Sequence, residues 1–170
     1  MPFYLDYNTY GGVVIQPGAS QRGLIVQLAA SPTQDAVDVM NSASTILYSV
    51  QNQGHLVAGG SQVTATTLAA LGTAPPAVTV TTGSTDARGS FTFGTGTAPT
   101  TGNAVQIVYA TAYATAPYVG ISVSGTSGAV GIAGAFVSVS ATTGFTVAVA
   151  TTLGTSVGGT VYGITYWVIG

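Results

Sequence analysis

The sequence predicts an all-β protein: an antiparallel β-sandwich or jelly roll over residues 73–170, preceded by a smaller unit of short strands over residues 15–72. Three observations carry this expectation. Apolar residues recur with a period of two: Val105, Ile107 and Tyr109; Val119, Ile121 and Val123; Phe145, Val147 and Val149. Such a period puts each apolar set on one face of a strand, and that face must find a core. Turns rich in Gly and Thr separate the strands: Thr82-Gly83-Ser84, Gly94-Thr95-Gly96, Thr101-Gly102-Asn103 and Thr142-Thr143-Gly144. About six to eight short strands at this spacing suit a sandwich. Finally, only 4% of the 170 residues are charged, and from Gly89 to Gly170 no side chain is charged at all.

Taken in order, residues 1–14 form an arm carrying Phe3, Tyr4, Tyr7 and Tyr10. It either folds back on its own domain or docks on another protein. Tyrosine, a large contact with a polar handle, favours docking. Gly23–Gln27, Ala36–Met40, Ile46–Val50 and His55–Val57 read as four strands of about five residues each, with turns at Asn41–Ser44 and at Asn52-Gln53-Gly54. A unit this small buries too little alone and becomes stable when identical copies share a core. Residues 61–77 read as a link in which Thr66–Leu71 makes a helical turn ended by Pro75-Pro76. Beyond it, Val78–Val80 and Phe91–Phe93 bracket Asp86 and Arg88. The strand Val161–Ile169 is apolar on both faces: Tyr162, Ile164, Tyr166 and Val168 on one, Val161, Trp167 and Ile169 on the other. This suits a central strand or one at a subunit interface.

Composition excludes several classes. An ordinary surface is about a quarter charged; this one is solvated by Thr, Ser, Asn and Gln or covered by neighbouring subunits. Two arginines, no lysine and a net charge of −2 argue against nucleic acid, since phosphate contacts need several cations. Without cysteine there is no disulfide, thiolate metal site or Cys nucleophile. Mean hydropathy is positive, yet no run of 18 apolar residues exists, so membrane insertion is not expected. Met1–Tyr4 lacks the basic region of a signal peptide.

No constellation reads as catalytic. Asp35 and Asp38 are three apart on a strand, hence on opposite faces, whereas a glycosidase needs two carboxyls on one sugar bond. No GxSxG occurs, and no helix with Lys follows Gly94-Thr95-Gly96 to make a phosphate loop. A lone histidine, His55, cannot build a metal site in one chain, although three copies on a symmetry axis could hold an ion. Asp86 and Arg88 read first as a turn cap with a weak surface ion pair. With Trp167 they are also the ligand-contact candidates. Trp167, Tyr113 and Tyr118 could stack on a sugar, but packing is the commoner role. No cofactor is expected.

The order of "GLIVQ", "DAVDVMN", a small polar turn and "ILYSVQNQGHLVAGG", followed by "GSTDARGSFTFGTGTAPTTG", "AVQIVYATAYATAPYVGISV", "TTGFTVAV" and "VYGITYWVIG", resembles bacteriophage trimeric fibre and spike proteins of the head-fibre or tail-fibre type. The resemblance implies a short trimeric β-prism stem over residues 15–72 and a sandwich knob over residues 73–170. It implies a non-enzymatic virion protein, a short fibre, spike or capsid decoration on the particle surface, assembled in the host cytoplasm. Phe3, Tyr4, Tyr7 and Tyr10 would anchor it to a major capsid or tail protein. The alternative is a tail-fibre module that recognises host surface glycans. One stem unit with almost no shaft departs from a long tail fibre and suits a short spike.

Overall fold

A computed structural model of the chain describes residues 37–40, 46–51, 53–123, 132, 134–154 and 161–170. The expected strand Gly23–Gln27, the turn Asn41–Ser44, the arm with Phe3, Tyr4, Tyr7 and Tyr10, and Asp35 lie outside the described residues. The protein is all-β, and every strand pair among the described residues is antiparallel.

Three short strands, β1 (Val37–Met40), β2 (Ile46–Val50) and β3 (Leu56–Ala58), form one small sheet in that order. They match the expected strands closely, and Gly54 takes the positive φ of 82° that its turn requires. Register places Val37, Val50 and Leu56 in one row and Val39, Tyr48 and Ala58 in the next. All six share one face. Asp38, Ser49 and Val57 occupy the other.

Eight strands build the sandwich. One sheet runs β4 (Thr64–Thr67), β7 (Gly102–Val108), β10 (Gly144–Val149), β9 (Ala135–Ala141); the other runs β5 (Thr79–Val80), β6 (Arg88–Phe93), β11 (Tyr162–Ile169), β8 (Tyr118–Val123). Edge strand β8 lies against β9, and β4 against β5, so each sheet's edges face the other's. Of the two expected forms the order is a sandwich's rather than a jelly roll's, because the first and last strands, β4 and β11, lie in different sheets.

The segment expected to be a link differs most. Thr64–Thr67 is a strand paired with the outer edge of β7, and the helical turn shrinks to a 3₁₀ turn over Ala69–Leu71. Val63, Ala70 and Leu71 are buried in the core. β-Branched threonines accept a strand readily, and β7 would otherwise present an unpaired edge.

Alternation builds the core. Phe91 and Phe93 of β6, Val105 and Ile107 of β7, Phe145 and Val147 of β10, and Ile164 and Tyr166 of β11 are buried between the sheets. Aromatic rings run through it without a break: Tyr162 to Phe93 at 5.6 Å, Phe93 to Phe91, Phe91 to Tyr166, Tyr166 to Phe145 at 5.2 Å, Phe145 to Tyr109, and Tyr109 to Tyr113 at 5.0 Å. Tilted and edge-on rings at such spacings add attraction beyond the area they bury.

Two identical tetrapeptides, Gly72-Thr73-Ala74-Pro75 and Gly96-Thr97-Ala98-Pro99, face each other at the base of the β5–β6 hairpin. The Thr73 and Thr97 amides each donate to the other's carbonyl at 2.9 Å. Ala74 and Ala98 both adopt left-handed backbone, φ 53° and 54°. A side chain at Gly72 would strike the Thr97 carbonyl, and one at Gly96 the Thr73 carbonyl. Glycine at both positions is what lets the backbones touch.

Candidate functional site

The charges of the sandwich sit on the loop and strand that follow β5. Asp86 lies in the turn, and Arg88 opens β6. Among the described residues no ion pair joins them. Instead the Asp86 carboxylate accepts the backbone amides of Ala110 at 2.7 Å and Thr111 at 2.9 Å, just past β7. The Tyr113 hydroxyl donates to the Asp86 carbonyl at 3.2 Å. The expected turn cap is therefore a tie between two distant loops, because a carboxylate with two backbone amides in reach gains more than it would from an exposed guanidinium.

This tie puts the two charges in different clefts. Asp86 lines a cleft of about 520 Å³ with Gly59, Gly60, Ser61, Thr111 and Tyr113, where the small sheet meets the sandwich. Arg88 lines a second, of about 330 Å³, with Thr81, Ser84, Ser90 and Thr165. Its floor is rigid. The Ser84 hydroxyl donates to the Ser90 carbonyl and accepts the Ser90 amide, both at 3.1 Å, and the Ser90 hydroxyl donates to that of Thr81 at 2.8 Å. Beneath it, the buried Tyr166 hydroxyl donates to the Thr85 carbonyl at 2.7 Å.

Trp167 does not line the second cleft but stands on the same outer sheet face as Arg88. On β11 the set Tyr162, Ile164, Tyr166 and Val168 is buried, while Thr165, Trp167 and Ile169 point outward. Register sets Trp167 between Arg88 of β6 and Gly120 of β8. Its indole lies over Gly120, where any side chain would collide with the ring. Tyr118, opposite Ile169, is 85% exposed and Trp167 is 48% exposed. Arg88 and Trp167 thus share a face; Asp86 does not join them. Tyr113 packs against Gly170 and Tyr109 instead of standing free.

The Tyr109 hydroxyl is buried and, among the described residues, makes no hydrogen bond. Burial drives the Tyr109 and Tyr166 hydroxyls well above the usual tyrosine range, with the Asp86 charge adding to each; Tyr113 moves the same way for the same causes. All three stay protonated at neutral pH.

His55 is exposed at the end of the β2–β3 turn, and among the described residues no group of three His, Cys, Asp or Glu side chains gathers as metal ligands. No helix among them is long and apolar enough to cross a membrane. The small sheet offers a different kind of site. On its apolar face Leu56 is 63% and Val39 48% exposed, with Val37, Ile46 and Tyr48 also exposed. No family model matches the chain, and neither a curated protein nor a solved structure shows significant similarity to it.

Proposed function

We propose that the chain is a non-enzymatic structural protein of a bacteriophage particle, a short homotrimeric fibre, spike or capsid decoration displayed on the surface. One observation carries the oligomer: a three-stranded sheet whose Val37, Val39, Tyr48 and Leu56 lie on one exposed face. A sheet this small, with an apolar face open to water, is not stable alone; three copies turned inward close it into a prism and bury that face. The near-absence of charge supports the same reading, since chains that assemble need no mutual repulsion. The particle and the anchoring role of Phe3, Tyr4, Tyr7 and Tyr10 rest on the resemblance to phage fibres. The stem holds the protein to its particle, and the sandwich faces outward.

Sedimentation at micromolar concentration tests the oligomer. The expected result is a trimer that Leu56→Asp converts to a folded monomer. A wild-type monomer overturns the reading. Labelling of purified particles with antibody to the chain tests the location: hundreds of sites mark a head decoration, a handful a tail fibre, and unlabelled particles overturn both.

A second reading, a receptor-binding module that grips host surface glycans, is favoured by Trp167. A half-exposed indole lying over Gly120, with Tyr118 exposed on the same sheet face, offers aromatic surface on which a sugar ring can stack.

A further inference from the structure

The outer face of β6, β11 and β8 offers more than an aromatic surface. Arg88 and Trp167 are direct cross-strand neighbours, and Ser90 and Thr165 form the next pair along. Arg88 is exposed, and among the described residues it has no carboxylate partner. The carboxylate closest in sequence, Asp86, is held by the Ala110 and Thr111 amides and lines the other cleft. No acidic side chain lines the Arg88 cleft. A guanidinium presents a planar fork of donors matched to a carboxylate. Here it borders a ledge of hydroxyls from Thr81, Ser90 and Thr165, and the Trp167 indole, lying over Gly120, stands beside it on the same sheet face.

From this juxtaposition, and resting on the receptor-binding reading above, we infer that Arg88, Trp167, Ser90 and Thr81 form a binding site for an acidic saccharide, a pyranose bearing a carboxylate. The sugar ring stacks on the indole. Its carboxylate takes the Arg88 fork, and its hydroxyls meet those of Thr81 and Ser90. A neutral sugar fits less well, because the face supplies a strong donor and no carboxylate to accept from sugar hydroxyls. A nucleic acid strand is disfavoured because one cation cannot follow a run of phosphates. Neither Arg88 nor Trp167 is in the core, so both can be changed without emptying it.

Trp167 is the only tryptophan, so its fluorescence reports on this face alone. The full-length protein is titrated with oligogalacturonate, oligosialic acid and the methyl ester of each. The ester keeps the shape of the sugar and removes the charge. The expected result is a saturable change in emission with at least one acid, and affinity about tenfold weaker for its ester, the size of a charge-assisted hydrogen bond. Arg88→Gln, checked by sedimentation and circular dichroism, should bring acid and ester to equal affinity. Trp167→Ala, read by calorimetry, should weaken both. Equal binding of acid and ester by the wild type overturns the acidic preference and leaves the glycan reading standing. No binding of any of the four overturns both. Binding that Arg88→Gln leaves unchanged places the ligand elsewhere and overturns this site.

Discussion

At the scale of single residues, Gly89 shows how close the packing behind the Arg88 cleft is. A Cβ there would lie 2.6 Å from both the Ser84 and Tyr166 hydroxyls, each already committed to a hydrogen bond. Gly83 has a positive φ of 84° but open space around it. Gly89→Ala is therefore expected to cost about 3 kcal/mol from overpacking and a displaced hydrogen bond, and Gly83→Ala about 1 kcal/mol from backbone strain alone. Urea denaturation of the two variants checks the order; equal losses would contradict it. The tyrosines allow a second contrast. The Tyr109 hydroxyl is buried and has no partner among the described residues, so Tyr109→Phe is expected to raise stability by about 1 kcal/mol. Tyr166→Phe forfeits the bond to Thr85 and is expected to lower stability by a similar amount. Both hydroxyls, with that of Tyr113, are raised above their ordinary range by burial. For an acid whose folded pKa is raised, the stability it contributes is complete below the unfolded value and is lost as pH climbs past it. The melting temperature should hold level between pH 7 and about 9 and fall above about 10, where free tyrosine ionises. The fall should be shallower in Tyr109→Phe. Melting curves across that range decide it.

At the scale of elements, the carboxylate of Asp86 joins the β5–β6 turn to the segment after β7. Asp86→Ala should cost about 1–2 kcal/mol at this half-exposed site, with Asp86→Asn between it and wild type. Hydrogen exchange at the Ala110 and Thr111 amides should quicken in both; unchanged exchange would remove the tie. Nothing local announces this tie, since the residues it joins are far apart in sequence. Asp86 and Arg88 were legible as the sandwich's only charges, but their division between two clefts is tertiary. The same distinction separates the strands. β6, β10 and β11 declared themselves through Phe91, Phe145 and Tyr166, whose alternation needs no outside help. β4 did not, because Thr64–Thr67 has no apolar stripe; what makes it a strand is the waiting edge of β7. Parity set Trp167 on the opposite face of β11 from Tyr166, but with both faces apolar it did not say which was the outer one; that, and the shelf that Gly120 provides, depend on which strands lie alongside. Likewise the apolar face of the small sheet follows from pairing Val39 with Tyr48, and alternation within β1 or β2 alone supplies only half of it.

At the scale of the whole molecule, the two sheets are built with different dependencies. β10 is buried on both faces: Phe145, Val147 and Val149 point into the core, while Thr146 and Ala148 lie between the longer side chains of Gln106 and Val139 and of Asn103 and Phe136. In the second sheet, β6 and β8 do not pair with each other; β11 lies between them and pairs with both. Shortening the chain to residues 1–160 should therefore abolish the cooperative unfolding transition of the sandwich instead of merely lowering its midpoint, which calorimetry would reveal. The arrangement also sets an order of events during synthesis. When β8 has left the ribosome, β6 and β8 are both present and neither can pair with the other. Domains fold as units once their parts are available, and here the missing part is made after both of its neighbours. Until Tyr162–Ile169 arrives, two strands with a single charge between them, Arg88, wait with open hydrogen-bonding edges, the state most prone to pair with a neighbouring chain. A nascent sandwich of this kind is exposed to aggregation for as long as the ribosome takes to travel from β8 to β11. Any pause along that stretch of message should reduce the soluble yield more than a pause of equal length placed earlier.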